Sequence, residues 1–431
     1  MKGLQSVKGI PAACAALLAA LLVTGAAHAQ TTQLTSGGGN RWVATWGSAP
    51  IEPGPHTIDV LLLGNDRSRS FDNQTVRNVL HASVGGRRVR VRLSNAFGVM
   101  PLRVGAASVA ISRGGAAINP ATSRRLTFGG LASTVVPAGA LAVSDPVDLN
   151  VPSAADLAVS VYLPGPTEPA TYHEITLTTS FVTGTGNFTA AADLPTATAT
   201  PSTFYLTAVE VQPNDPVGTL VVLGDSISQG AGSTENAHTT WPDQLSARLN
   251  SGRARLSVVN QAIGCGRLLF DFCGPGGAAR FDRDVLATTG ASHVIVELGL
   301  NDLMIPSILP IFGHPEFGPE TVSAADIIAG LQQLILRARA QNLRVYGATI
   351  TPNGSSPVPG AFTPENEAKR TAVNRWIRTS GAFDGVIDFD AVVRDPANPT
   401  QLLPAWSFDG VHLNDSGYEA MANAVNLSMF F

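Results

Sequence analysis

Charge, cysteine and long apolar runs are all scarce in this chain of 431 residues. Charged residues make up 14% and the net charge is −4. Without a basic stripe to neutralise a phosphate backbone, nucleic acid is not an expected partner. Of three cysteines, only Cys265 and Cys273 lie beyond the first segment, and no His or Cys cluster surrounds them to complete a metal site. One apolar run stands out, "AACAALLAALLVTGAA", and it is short for a membrane span. Lys2 and Lys8 precede it and Ala27-His28-Ala29 follows it, the order of a secretory signal peptide with its cleavage site. Residues 1–29 are therefore expected to be a signal peptide. The mature chain would then be secreted or periplasmic, with no integral membrane association. In an oxidising compartment Cys265 and Cys273 are expected to form a disulfide.

What remains is about 400 residues, enough for two domains. "TSGGGN" makes residues 30–40 a flexible leader. Residues 41–212 show alternating strands, frequent Gly and Pro, and almost no helical periodicity. Their expected architecture is an antiparallel β-sandwich of jelly-roll type. "HASVGGRRVRVRLSN" predicts a hairpin about Gly85-Gly86, with Val89, Val91 and Leu93 on the buried face and Arg88, Arg90 and Arg92 on a solvated one. Pro213 and Pro216 punctuate the chain before its texture changes. In residues 217–431, apolar strands such as "TLVVLGD", "LSVVNQA", "HVIVELG", "RVYGATI" and "GVIDFD" alternate with helical patterns. That alternation predicts a parallel sheet covered on both faces, a flavodoxin-like three-layer α/β/α arrangement. Ligands in such sheets bind at the carboxyl ends of the strands.

Those ends carry the residues of chemical interest. "LVVLGDSISQG" delivers Ser226 to the end of a strand. Gly-Asp-Ser alone is ordinary turn and helix-capping chemistry. As a nucleophile the serine would need a base, because its hydroxyl is scarcely ionised at neutral pH, and the base would need an orienting group. Among eight histidines, only His412, in "SFDGVHLNDSGY", has an aspartate, Asp409, three positions before it. "VIVELGLNDLM" ends a strand at Asn301, whose amide can cap a turn or stabilise an oxyanion. "VVNQAIGCGRLL" ends another in small residues that expose backbone N–H groups. The Pro-rich stretch "LMIPSILPIFGHPEFGPET" and Trp406 are each compatible with an acyl pocket or with ordinary packing. The glycines flanking the serine motif, Gly224 and Gly230, would let substrate approach. His173 reads as a satisfied structural histidine.

"GDS", the small-residue turn, "GLND" and "DGVH" occur in the order of the four sequence blocks of the SGNH (GDSL) hydrolase superfamily, which residues 217–431 resemble. "RWVATWGSAP" and "VRVRLSNAFG" also resemble the N-terminal β-domain of some secreted bacterial SGNH esterases. The resemblance implies a serine esterase working through an acyl-enzyme, with no metal or organic cofactor. Ser226 would be the nucleophile, His412 the general base and acid, and Asp409 its orienting partner. The oxyanion hole would be built from the Ser226 backbone N–H, the Asn301 side chain and a backbone N–H of the second block. That block departs from the family's usual Asn-x-Gly-Ile-x-Gly: the register puts Cys265 at the donor position, with Gly264 the other choice. The expected substrates are short-chain or acetyl esters, including an acylated saccharide. A lipolytic esterase of the same fold, or a non-catalytic carbohydrate-binding protein with a degenerate hydrolase fold, are the alternatives.

Overall fold

The computed structural model describes residues 41–54, 67–194, 196–215, 217–251 and 256–431. The predicted signal peptide and leader lie outside the described residues. Two sheets form the β-rich part. One carries Val43–Gly47, Gly86–Ser94, Val147–Val151 and Leu206–Val211, the other Gln74–His81, Ala106–Gly114, Asp156–Leu163 and Ser180–Thr185. All of these strands pair antiparallel. Alternation buries Val89, Val91 and Leu93 from one sheet against Val76, Leu80, Val159 and Val161 from the other, which makes a sandwich with one apolar core.

Two expectations fail here for a physical reason. The hairpin about Gly85-Gly86 does not form: Gln74–His81 pairs with Asp156–Leu163, whereas Gly86–Ser94 pairs with Leu206–Val211. Alternation reports that a strand has one buried face, and strands in facing sheets satisfy that as well as neighbours in a ladder do. The glycines carry the chain between the sheets through a backbone crossing with no room for a side chain. A Cβ on Gly85 would stand 2.3 Å from the Val151 carbonyl oxygen, and one on Gly86 2.4 Å from that of Gln212. The arginine face is solvated only at Arg88, which pairs with the exposed Asp148. Arg90 and Arg92 clasp the buried carboxylate of Glu210 at 2.5 and 2.7 Å. Arg92 continues to the Thr289 hydroxyl at 2.9 Å, so this face is sealed against the second half of the chain.

That half is built on five parallel strands: β1 (Gly218–Gly224), β2 (Leu256–Asn260), β3 (Ala291–Glu297), β4 (Arg344–Ala348) and β5 (Gly385–Ile387). Their order is β2-β1-β3-β4-β5, the flavodoxin-like order with its switch point beside β1. Leu220, Val221, Val222 and Leu223 are all fully buried, so both faces of β1 are covered, which explains its unbroken apolar run. The covering helices start where the sequence caps them. Thr240 accepts from the Asp243 N–H ahead of Trp241–Leu249. Ser323 and Asp326 form a capping box ahead of Ala324–Ala340. Both cores belong to one compact unit. The sandwich abuts the edge of the parallel sheet, where Ser257 donates to the Ala44 carbonyl at 2.5 Å and the Val258 N–H to Ser83 at 2.8 Å. No helix among the described residues is long and apolar enough to cross a membrane.

Candidate active site

At the carboxyl end of β1 the chain turns through Asp225 into the one-turn helix α1 (Ser226–Gln229). Asp225 caps it by accepting from the Ile227 N–H at 3.0 Å. Ser226 is the first helical residue, so no preceding turn accepts its backbone N–H. Gly224 and Gly230 do not open a way for substrate, contrary to expectation. A Cβ on Gly224 would lie 2.4 Å from that of Ser228, and one on Gly230 2.3 Å from Thr240 Cγ2, so both serve packing.

Far along the chain, the loop before the helix Asp415–Ala424 brings His412 over the strand ends. His412 Nε2 lies 2.8 Å from Ser226 Oγ, and its Nδ1 lies 2.7 Å from Asp409 Oδ2. The other oxygen of Asp409 accepts from the backbone N–H groups of Val411 and His412 at 3.0 and 2.8 Å. Burial works to raise the pKa of Asp409, but the bonds from His412 and the two N–H groups outweigh it and hold the carboxyl down at about 2. An ionised Asp409 fixes the imidazole with its proton on Nδ1, which leaves Nε2 free to accept from the serine hydroxyl.

The other expected groups converge on the same place. Asn301 is the second residue of the helix Leu300–Ile308, which follows β3. Its amide nitrogen donates to the Gly266 carbonyl at 3.1 Å and more weakly to Asp225 at 3.3 Å, which sets the amide's orientation. After β2, the N–H of Gly266 is bonded to the Ile263 carbonyl. Those of Gly264 and Cys265 have no protein acceptor among the described residues. Cys265 has φ of 49°, in the left-handed region that favours glycine yet admits other residues. It is bonded to Cys273, with Cα atoms 5.7 Å apart. Ser226, Gly264, Cys265, Asn301, Asp409 and His412 all line one cavity of about 320 Å³. Met304 and Ile308 from the Pro-rich stretch line it too, while Trp406 packs against the core instead.

Several supporting groups carry no motif of their own. Glu297, fully buried at the end of β3, accepts from Ser228 at 2.8 Å and lies against Asp225. Burial and the charge of Asp225 raise Glu297 well above the usual carboxyl range, and burial pushes Asp225 up to about 6. Two buried acids in contact disfavour a charge on both, so the pair is held together by retaining a proton. A lone acid in the apolar run "VIVELG" was the available signal. Asp302 accepts from the N–H groups of Leu268 and Leu269 at 2.6 and 2.9 Å and anchors the loop that carries Cys265. The buried Arg280 guanidinium donates to the Gly224 carbonyl at 3.1 Å and to that of Gln261, tying the ends of β1 and β2 together.

The sandwich takes part as well. Glu174 and Ile175 line the cavity. Burial lowers the pKa of His173, next to them, and keeps it neutral. It donates from Nδ1 to the Ala49 carbonyl at 2.8 Å and accepts at Nε2 from the Gln229 amide at 3.1 Å, bracing α1 from the side. Nothing local in the sequence marks these contacts, because they arise where the two halves meet.

Residues 222–420 match the model of the GDSL-like lipase/acylhydrolase family. No curated protein matches the chain. Among solved structures, it is similar to a carbohydrate acetylesterase from Sinorhizobium meliloti at 15% identity and a TM-score of 0.38, over 50% of this chain and 100% of that one. A GDSL-like lipase from Bacteroides thetaiotaomicron is similar at 16% identity and a TM-score of 0.36, over 49% of this chain and 87% of that one. The psychrotrophic esterase EstA from a Pseudoalteromonas species is similar at 17% identity and a TM-score of 0.33, over 48% and 93%.

Proposed function

From the premise that residues 222–420 form a GDSL-like lipase/acylhydrolase domain, and hence that the chain is a carboxylic ester hydrolase, we propose that it is an exported serine esterase that removes short acyl groups, acetyl above all, from a saccharide. The observation that carries this reading is the unbroken line from Ser226 Oγ through His412 to Asp409, at 2.8 and 2.7 Å.

His412 takes the serine proton on Nε2 as Ser226 Oγ attacks the ester carbonyl. Asp409 holds the imidazole's other proton and balances the imidazolium that forms. Charge then gathers on the carbonyl oxygen. The Ser226 N–H, the N–H of Cys265 or Gly264 and the Asn301 amide, which all belong to residues on the wall of the same cavity, would donate to it. An oxyanion would replace the long Asn301–Asp225 contact of 3.3 Å. Each such donor lowers the barrier by about 3 kcal/mol. The imidazolium gives its proton to the leaving alcohol, and water then repeats the sequence on the acyl-enzyme.

A cavity of about 320 Å³ is at the small end of small-molecule sites. Met304, Ile308 and Val411 offer an apolar side for an acyl group, and Glu174, Gln229 and Ser356 offer polar groups for sugar hydroxyls. Export is supported by the order of residues 1–29 and by the disulfide. One observation favours the lipolytic alternative: Ile311, Phe312 and Val358 expose apolar surface, and Val358 lies on the cavity wall. The test is hydrolysis of p-nitrophenyl esters from acetate to decanoate, and of acetylated xylo-oligosaccharide, with Ser226→Ala as control. Highest kcat/KM on acetate, with acetate released from the oligosaccharide, is expected. A maximum on octanoate or decanoate would favour the lipolytic reading, and no Ser226-dependent hydrolysis would reject both.

A further inference from the structure

Away from the catalytic cavity, three side chains from three separate elements converge. His81 ends the strand Gln74–His81, Asp156 begins Asp156–Leu163, and His238 lies in the loop between α1 and the helix Trp241–Leu249. His81 Nδ1 is 2.7 Å and His238 Nε2 3.1 Å from the same oxygen, Asp156 Oδ1. The three donor atoms all lie within 4.8 Å of one another. All three residues are half-buried.

Without a metal, the three groups are held together by hydrogen bonds to one carboxylate oxygen. The imidazoles are stacked, with ring centroids 3.8 Å apart and planes inclined by 23°, so the two are disfavoured as simultaneous cations; as neutral rings each donates one N–H to Asp156 and can exchange that proton for a metal. A divalent ion would accept lone pairs from both rings and from the carboxylate at once. A tetrahedral site with bonds near 2.1 Å needs ligand atoms about 3.4 Å apart. The observed 2.7 and 3.1 Å therefore need only a small opening. Each ring must also turn about its Cβ–Cγ bond to aim its nitrogen at a common point. Space for that is present. A cavity of about 70 Å³ opens beside His81 and His238, with Asp243, Ser83 and Thr240 on its wall; Asp156 does not line it, so the cavity gives the two rings room to turn and a place for a water in the open position. Asp243 adds a second negative charge close to His238.

We propose that His81, Asp156 and His238 form a structural site for a divalent transition ion of the zinc class, clipping the sandwich to the loop that follows the nucleophile's helix. Two imidazoles and one carboxylate suit Zn²⁺ among the available metals. The site takes no part in ester cleavage.

The test uses the full mature chain, stripped with a chelator and titrated with ZnCl2 by calorimetry at pH 7.5. One ion per chain is expected. His238→Gln and Asp156→Asn should each bind at least tenfold more weakly. With zinc at a hundred times its dissociation constant, the melting temperature should rise by about 4 °C in the wild type and stay fixed in both variants. Co²⁺ added to the stripped wild type should give the visible absorption of a low-coordinate nitrogen–oxygen site, a readout that needs no variant. Absence of saturable binding by the wild type would overturn the proposal. So would binding of equal strength in correctly folded variants.

Discussion

Asp409 and Asp156 each present a carboxylate oxygen to an imidazole at 2.7 Å, yet only one of them stands in line with a serine hydroxyl. At Asp409 one histidine uses both ring nitrogens in series, and the chain of contacts ends on Ser226 beside a cavity lined by Gly264, Cys265 and Asn301. At Asp156 two histidines use one nitrogen each in parallel, and both contacts end on the same oxygen. A histidine–aspartate contact is thus not a catalytic signature in itself. What the second nitrogen faces decides what the pair can do.

The sharpest way to break that contrast is to remove members of each set. Ser226→Ala or His412→Ala should slow turnover of p-nitrophenyl acetate by a factor of about 10⁶, and Asp409→Asn by about 10⁴. His238→Gln should leave it within about twofold. A comparable loss in His238→Gln would erase the distinction.

Asn301→Ala tests whether the cavity beside His412 is what makes its pair productive. Steady-state kinetics should show turnover slowed roughly 10²- to 10³-fold, with little change in KM. Reducing the Cys265–Cys273 bond, which closes a loop with a sequence separation of 8, should cost about 2–3 kcal/mol of unfolding free energy in a urea titration. It should also slow turnover, because Cys265 is held at a positive φ beside the serine. Unchanged activity after reduction would remove the bridge from any part in shaping the oxyanion site.

The smallest effects concern pH. Both aspartates are held below the ordinary carboxyl range, Asp409 at about 2, although burial opposes the shift in each. The unfolded chain then binds more protons in acid, so stability should fall as pH drops from about 4 towards 2. Asp409→Asn and Asp156→Asn should each flatten that fall in melting temperature. Asp225 has the opposite sign. Its pKa is raised to about 6 by burial, so the folded form holds the proton more tightly, and stability should decline as pH rises from about 4 to 6. Asp225→Asn should flatten that decline.

The comparison also shows what a sequence can carry. Asp409 and His412 lie three positions apart and Ser226 follows an apolar strand by two residues, so each left a local trace. The parallel strands were legible for the same reason: burial on both faces is written into each run. His81, Asp156 and His238 left none, because each sits on an element whose partner is chosen by the tertiary fold. Partner choice also explains the failed hairpin at Gly85-Gly86 and the sealed arginine face. Periodicity records which side of a strand is buried, and it is silent on what that side is buried against.

Ile175 and Glu174 come from the sandwich and stand on the wall of the cavity that holds Ser226. The two halves are therefore not interchangeable cassettes. A hydrolase half separated from its sandwich would keep Ser226, His412 and Asp409 but lose part of the cavity wall and the His173 brace behind Gln229. A new sandwich brought in by recombination would change which esters are accepted without altering one residue of the chemistry. Selection on substrate range can thus act on a segment that sequence blocks assign to no reaction.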